Sequence, residues 1–151
     1  SGGLELAEAC DIRFCSPNAE LAHQDVTWGF HPCDGGCVRL AQIVGLGNAM
    51  EIILSGERID AAHALRIGLV NRIYPLAELV PRSLEFAAMF ASRAPLAQRY
   101  AKQVMRRAPD MTMAEALRSE SRSFYDLGRS EDIVEGTTAF REKRAADFKG
   151  R

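Results

Sequence analysis

The chain has 151 residues, of which 47% are hydrophobic and 26% charged, and its formal net charge is −1 at pH 7. This is the composition of a globular protein with a core, and it excludes a disordered or fibrous chain. The near-neutral charge offers no basic surface to nucleic acid or an anionic membrane, and no apolar run is long enough to span a bilayer, so we expect a soluble, cytoplasmic protein.

The first part of the chain mixes short helices with short strands. In chain order, the apolar spacing predicts a helix over 2–9, strands over 11–16 and 19–23, a loop over 24–36 and a helix over 38–45. Asp34 is the predicted cap of the helix over 38–45. Next come a helix over 48–56, a short helix that Asp60 caps and a strand through Ile73.

After Pro75 the pattern is purely helical. It predicts helices over 76–93, 95–107, 113–127 and 131–148. Thr112 and Glu115 have the spacing of a capping box, and Ser130 is the predicted cap of the last helix. The amphipathic faces of these helices fit either core packing or a subunit interface.

The order of these elements predicts an α/β fold that is only partly contained in the chain. Three short strands cannot bury both faces of a parallel sheet, so residues 1–74 fit the second half of a β/α core. Residues 75–151 then form a helical C-terminal region. The chain is therefore expected to be a fragment of a larger protein.

All four cysteines fall in the first quarter of the chain, at positions 10, 15, 33 and 37. No signal peptide stands before them, so free thiols in a reducing compartment are the simplest interpretation. His31, Cys33 and Cys37 have none of the strong zinc spacings, and we expect no metal site.

A glycine pair followed by a carboxylate, SGGLE, opens the chain. Glycines at a helix N-terminus present free N–H groups and the positive end of the helix dipole to an oxygen that gains negative charge. A plain tight turn before a helix explains Gly2 and Gly3 equally well when they are considered alone.

The loop over 24–36 carries two further carboxylates, Asp25 and Asp34, with Trp28 and Phe30 between them. Taken alone, Asp25 fits a solvated loop residue, and Asp34 fits a helix cap better than a catalyst.

Taken together, the motifs resemble the crotonase (enoyl-CoA hydratase/isomerase) superfamily over essentially the whole chain. They are G-G-x-E-L-A-x-x-C-D, an acidic residue twenty positions after Glu5, W-G-x-x-P-x-x-G-G-x-x-R-L, S-G-E-R-I-D-A-x-x-A-L-x-I-G-L-V-N and the tail V-E-G-x-x-A-F-x-E-K-R-x-x-x-F-K. The resemblance implies the crotonase-like (ClpP/crotonase) fold, with its second half and its C-terminal trimerisation helices present and its N-terminal half absent.

The resemblance also implies roles for individual residues. Gly2 falls where the family places one of its two oxyanion N–H donors, and the other donor belongs to the absent half. Glu5 and Asp25 match the two catalytic carboxylates of the hydratases. Phe140 and Lys143 match positions where the last helix approaches the nucleotide of coenzyme A. The substrate would be an acyl-CoA thioester, with no further cofactor, and the assembly a trimer or hexamer.

Hydration of a 2-enoyl thioester needs a base that deprotonates water for attack at C3 and an acid that protonates C2, while N–H donors hold the enolate oxygen. We assign the base to Glu5 and the acid to Asp25. The sequence leaves these two roles exchangeable or shared.

Two departures from the family pattern leave alternatives open. Asp25 stands where the family has the longer glutamate, and Asp34 stands where a small residue is usual. An acidic residue at position 34 resembles members that shift double bonds or cleave carbon–carbon bonds, so an isomerase or a hydrolase that uses Asp34 is the alternative function. A non-catalytic assembly or binding module is the third hypothesis, and we expect the isolated chain to be inactive.

Overall fold

The computed structural model describes all 151 residues. Contacts divide the chain into two compact units, Ser1–Leu84 and Glu85–Arg151. The assignment of residues 1–74 to half of a β/α core, and of residues 75–151 to a helical C-terminal region, stays a prediction. The two units are described separately below.

The first unit contains most of the alternation between helices and strands. Its elements are α1 (Gly2–Ala9), β1 (Phe14–Cys15), β2 (Glu20–Leu21), α2 (Gly36–Val44), α3 (Leu46–Ser55), β3 (Ile59–Asp60), α4 (Ala61–Arg66), β4 (Arg72–Ile73) and the start of α5 (Leu76–Ala91). The predicted bounds of α1 are confirmed. The predicted cap of α4 is also confirmed, because the Asp60 carboxylate accepts the backbone N–H of His63 at 2.7 Å.

The structure corrects the strand count and the loop. There are four strands rather than three, each of two residues, and β3 was missed because its two residues lie directly before α4. The segment predicted as an open loop contains a 3₁₀ turn over Gln24–Trp28, which ends at Gly29 with a positive φ of 88°.

The four strands form two separate pairs. β1 and β4 are parallel, with Phe14 opposite Arg72, whereas β2 and β3 are antiparallel, with Glu20 opposite Asp60. A parallel pair requires a crossover connection, and here everything from β2 to α4 forms that crossover. Within this crossover, α2 packs against α1.

The core of the first unit lies between α2, α3 and α4. Leu40, Ala64 and Leu69 are fully buried, and the cluster around them contains Leu4, Cys15, Val44, Ala49, Ile52, Ile53, Ala61 and Val70. Burial raises the pKa of the Cys15 thiol, so this thiol behaves as a packing group.

The second unit is helical. It contains α6 (Pro95–Arg107), a 3₁₀ turn over Ala108–Asp110, α7 (Met113–Leu127) and α8 (Glu131–Glu142). The predicted bounds of α6 and α7 and the capping box at Thr112 and Glu115 are confirmed. Across the whole chain, no helix combines the length and the apolarity that crossing a bilayer requires.

The prediction that α8 continues to residue 148 is wrong. The last helical residue is Glu142, and the residue that caps the helix, Lys143, adopts the left-handed conformation with φ of 56°. The following segment returns along α8, where the Asp132 carboxylate accepts the N–H groups of Lys149 and Gly150 at 2.7 and 2.9 Å. These contacts satisfy the backbone of a segment whose apolar spacing alone favours a longer helix.

Candidate active site

Glu5 is a buried residue of α1, with 3% of its surface exposed. Its Oε1 atom accepts two backbone N–H groups, those of Asp34 and Gly36, each at 2.8 Å. Gly36 is the first residue of α2, so the carboxylate lies at the positive end of that helix. These bonds fix the orientation of the carboxylate through Oε1, and none of them involves Oε2.

The predicted role of Asp34 as a helix cap is wrong. The cap position of α2 is held by Gly35, with φ of 105°, which has no side chain to bind the helix N–H groups. The helix begins at Gly36, two residues earlier than the apolar pattern indicated, and Asp34 lies one residue before the cap position. Glu5 binds the first N–H group of the helix instead, and the carboxylate of Asp34 is left exposed.

Gly2 and Gly3 are the first two residues of α1. The first N–H groups of a helix have no partner within it. A Cβ atom built at either glycine meets nothing within 4 Å, so both backbones are approachable. The position of Gly2 is therefore compatible with a donor to a substrate oxygen.

Asp25 is buried in the 3₁₀ turn, with 6% of its surface exposed. Its Oδ2 atom is 3.8 Å from Nδ1 of His23, which is fully buried. The opposite ring nitrogen of His23, Nε2, is 2.9 Å from Oε1 of Glu8. The interpretation of Asp25 as a solvated loop residue is wrong, because the turn directs its side chain into this cluster.

Gly36 connects Glu5 with the His23 cluster. A Cβ atom at Gly36 would lie 2.8 Å from Cε1 of His23 and 3.0 Å from Oε1 of Glu5. The carboxylate of Glu5 and the imidazole that faces Asp25 therefore lie against the same backbone position. His23 thus lies between Gly36, which Glu5 contacts, and the carboxylate of Asp25.

Replacing Gly36 by Ala should destabilise the first unit by about 1–3 kcal/mol, the usual cost of overpacking. The new methyl group would also lie 2.8 Å from Cβ of Pro32, so three side chains would crowd it. Urea unfolding followed by the fluorescence of Trp28, which is the single tryptophan, measures the effect.

Gly47→Ala is the matched control for this substitution. Gly47 lies in α3, and a Cβ atom there meets nothing within 4 Å. Alanine should stabilise that helix by about 0.5–1 kcal/mol relative to glycine. Equal effects of the two substitutions would show that Gly36 is not tightly enclosed.

Phe140 and Lys143 lie in the second unit. Phe140 is near the end of α8 with 85% of its surface exposed, and Lys143 is the exposed residue that ends the helix. Both side chains are thus accessible to a ligand.

An open cleft of about 630 Å³ lies beside α1, with Ser1, Gly3, Leu4 and Trp28 among its lining residues. None of the three candidate carboxylates lines it. Cys33 and Cys37 are exposed free thiols, and the structure holds no group of three or more His, Cys, Asp or Glu side chains arranged to bind a metal ion.

Glu8 and His23 are the site residues that the sequence did not identify. Glu8 follows Glu5 by three positions and therefore shares its face of α1. That spacing was the only available signal. Its partner, His23, lies 15 residues later in the chain, and β1 and β2 form between the two residues.

Comparison with known proteins shows one family. A family model described as enoyl-CoA hydratase/isomerase matches residues 1–151. A mitochondrial enoyl-CoA hydratase of Pongo abelii is 40% identical over 148 residues, covering 98% of this chain and 51% of the relative. A short-chain-enoyl-CoA hydratase of Clostridium acetobutylicum is 40% identical over 151 residues, covering 99% of this chain and 58% of the relative.

A solved structure supports the same assignment. The crystal structure of an enoyl-CoA hydratase from Bacillus anthracis superposes with a TM-score of 0.96 at 35% identity, covering 99% of this chain and 58% of that one. The chain therefore spans about half the length of the relatives that it matches, and its fold is the corresponding part of the crotonase fold.

Proposed function

This chain belongs to the enoyl-CoA hydratase/isomerase family, and on that premise we propose that the whole protein adds water across the 2,3 double bond of an acyl-CoA thioester. The observation that carries the proposal is the placement of Glu5 and His23 against Gly36, with the carboxylate of Asp25 facing the His23 ring. The acyl-CoA class of substrate is taken from the names of three relatives, which are hydratases of enoyl-CoA or of 2,3-dehydroadipyl-CoA.

In the proposed reaction Glu5 is the base. Two N–H donors hold its Oε1, which leaves Oε2 to accept a proton from water. The oxygen of that water bonds to C3 of the substrate as the proton passes to Glu5. The electron pair of the double bond moves onto C2 and the thioester carbonyl, so negative charge develops on the carbonyl oxygen.

Two further groups complete the proposed reaction. The N–H group of Gly2 donates to the carbonyl oxygen as its charge develops. Asp25 then transfers its proton to C2, which restores the thioester carbonyl and yields a 3-hydroxyacyl thioester. Asp25 ends as a carboxylate and Glu5 as an acid, and transfer of one proton between them through solvent resets the site.

We assign contacts with the nucleotide of coenzyme A to Phe140 and Lys143. An exposed aromatic ring can stack on adenine, and a lysine ammonium can pair with a phosphate. No cofactor beyond the coenzyme A of the substrate is proposed. Cytoplasmic location stays a prediction.

We also propose that the protein forms a homo-oligomer, a trimer or hexamer. Large apolar side chains of the second unit lie exposed, and an assembly would cover them. They include Met105, Met113, Phe124 and Tyr125.

Product analysis tests the proposed function. The whole protein is incubated separately with a 2-enoyl-CoA, a 3-enoyl-CoA and a saturated acyl-CoA. A hydratase converts the first to its 3-hydroxy product. Conversion of the 3-enoyl to the 2-enoyl thioester alone would identify an isomerase, and release of free coenzyme A would identify a hydrolase. No reaction with any of the three thioesters would support a non-catalytic module.

A second candidate function rests on Asp34. Its carboxylate does not cap α2, whereas its backbone N–H is bonded to Glu5, so the exposed side chain projects from a fixed point beside the proposed base. A carboxylate there could move a proton between C2 and C4 of an enoyl thioester, which would shift the double bond. Isomerisation is therefore the favoured alternative.

Asp34→Asn separates the two candidates. If the protein is a hydratase, the variant should keep its rate of hydration within about threefold, since its backbone contact with Glu5 is unchanged. If it is an isomerase, the variant should lose about 10²–10⁴-fold in the rate of double-bond migration. Both rates are measured on the same preparation of the whole protein.

A further inference from the structure

A buried pair, Glu8 and His23, lies behind Asp25, and the proposed reaction gives it no role. The Nε2 of His23 is 2.9 Å from Oε1 of Glu8, and neither side chain has any exposed surface. Three atoms of this cluster are buried without a hydrogen-bond partner: Oε2 of Glu8, Nδ1 of His23 and Oδ2 of Asp25. Unpaired buried polar atoms are costly and therefore uncommon in folded proteins.

The carboxylate of Glu8 fixes the orientation of the imidazole ring. An ionised carboxylate only accepts hydrogen bonds, so the 2.9 Å contact places a proton on Nε2 of His23. The other nitrogen, Nδ1, then faces Oδ2 of Asp25 at 3.8 Å. That distance is about 1 Å longer than a typical hydrogen bond.

Two further charged groups, Glu5 and Arg13, lie beside the cluster. Glu5 of α1 and His23 both lie against Gly36 at the start of α2. Arg13, between α1 and β1, interacts electrostatically with Glu8, and partial burial lowers the pKa of this arginine. Arg13 donates hydrogen bonds to the backbone oxygens of Leu69 and Cys10, so it does not replace His23 as the hydrogen-bond partner of Glu8.

We propose that His23, held in one orientation by Glu8, is a positioning residue that fixes the carboxyl group of Asp25 for proton delivery. A small rotation of Asp25 brings Oδ2 into hydrogen-bond contact with Nδ1, which donates to it when the ring is an imidazolium paired with Glu8. The other oxygen, Oδ1, then carries the proton that passes to C2, and Asp25 is left as a carboxylate. Asp25 is one methylene shorter than the glutamate it replaces, and His23 supplies the anchor that such a short side chain needs. The inference rests on the proposed function.

Nitrogen-15 NMR of the whole protein with labelled histidine tests the geometry without activity. His23 should show both ring nitrogens protonated, and Asp25→Asn should shift the resonance of Nδ1. Glu8→Gln should remove one of the two ring protons, because a neutral amide no longer offsets the positive charge of the buried ring. An unprotonated Nε2, or an Nδ1 resonance that does not change in Asp25→Asn, would overturn the proposal.

Kinetics test the consequence for the reaction. His23→Gln should lower kcat for hydration about tenfold and leave KM within about twofold, since a displaced acid affects the chemical step rather than binding. His63→Gln is the control, because His63 lies outside the cluster on α4. An unchanged kcat in His23→Gln, or an effect on KM alone, would contradict the role.

The two measurements also separate this inference from the proposed function. If the wild-type protein does not hydrate enoyl thioesters but the NMR shifts follow Asp25→Asn, the proposed function fails and the contact stands. If hydration occurs and His23→Gln leaves it intact, the proposed function stands and the positioning role fails. Thermal unfolding shows whether each variant is folded. The NMR measurement uses only variants that keep His23.

Discussion

Replacing Glu5 by Gln in the whole protein should lower kcat for hydration of a 2-enoyl-CoA by about 10²–10⁴-fold, the contribution typical of a general base. The amide oxygen of Gln can still accept the N–H groups of Asp34 and Gly36, so the structure should persist. Only the ability to take a proton from water is lost. Steady-state hydration rates at saturating substrate measure the effect.

Two further variants complete this test. Asp25→Asn should cause a loss of about the same order, because an amide cannot deliver the proton to C2. Glu51→Gln makes the same change as Glu5→Gln at an exposed position of α3 and should leave the rate unchanged. Wild-type rates in both Glu5→Gln and Asp25→Asn would remove the basis for the hydratase assignment.

Replacing His23 by Leu should lower the free energy of unfolding of the first unit by about 3–5 kcal/mol, the usual cost of removing one partner of a buried ion pair. The carboxylate of Glu8 would remain, with no exposed surface and without its hydrogen-bond partner. Urea unfolding followed by Trp28 fluorescence reports on this unit.

The double variant Glu8→Met with His23→Leu distinguishes a lost charge partner from lost packing. Replacing both members by apolar side chains of similar volume removes the unpaired carboxylate, so most of the stability should return. His63→Leu at the half-buried position on α4 should cost less than about 1 kcal/mol. A single His23→Leu variant as stable as the wild type would contradict the account of this pair.

Most helices could be predicted because each contains its own start and stop signals. α7 is the clearest case, since Thr112 and Glu115 bond to each other across its first turn. α8 is the counterexample. Its end is decided by contacts between Asp132 and the returning segment at Lys149 and Gly150, which no local pattern indicates.

The site was predictable only where a residue belongs to a motif. Glu5 and Asp25 were identified because their motifs resemble those of the crotonase superfamily, and the structure places His23 between Asp25 and the backbone position that Glu5 contacts. The cap assigned to Asp34 was wrong because Glu5, distant in sequence, takes the N–H group that a local cap would have taken. His23 could not be paired with Glu8 because their contact depends on how the chain folds between them.

Hydration in water labelled with oxygen-18 tests the central claim most directly. The whole protein is incubated with a 2-enoyl-CoA in labelled water, and the product is analysed by mass spectrometry with fragmentation. The account predicts a thioester heavier than the substrate by one labelled water, with the label on C3. A product of unchanged mass, or a free acid labelled at its carboxyl group, would contradict it.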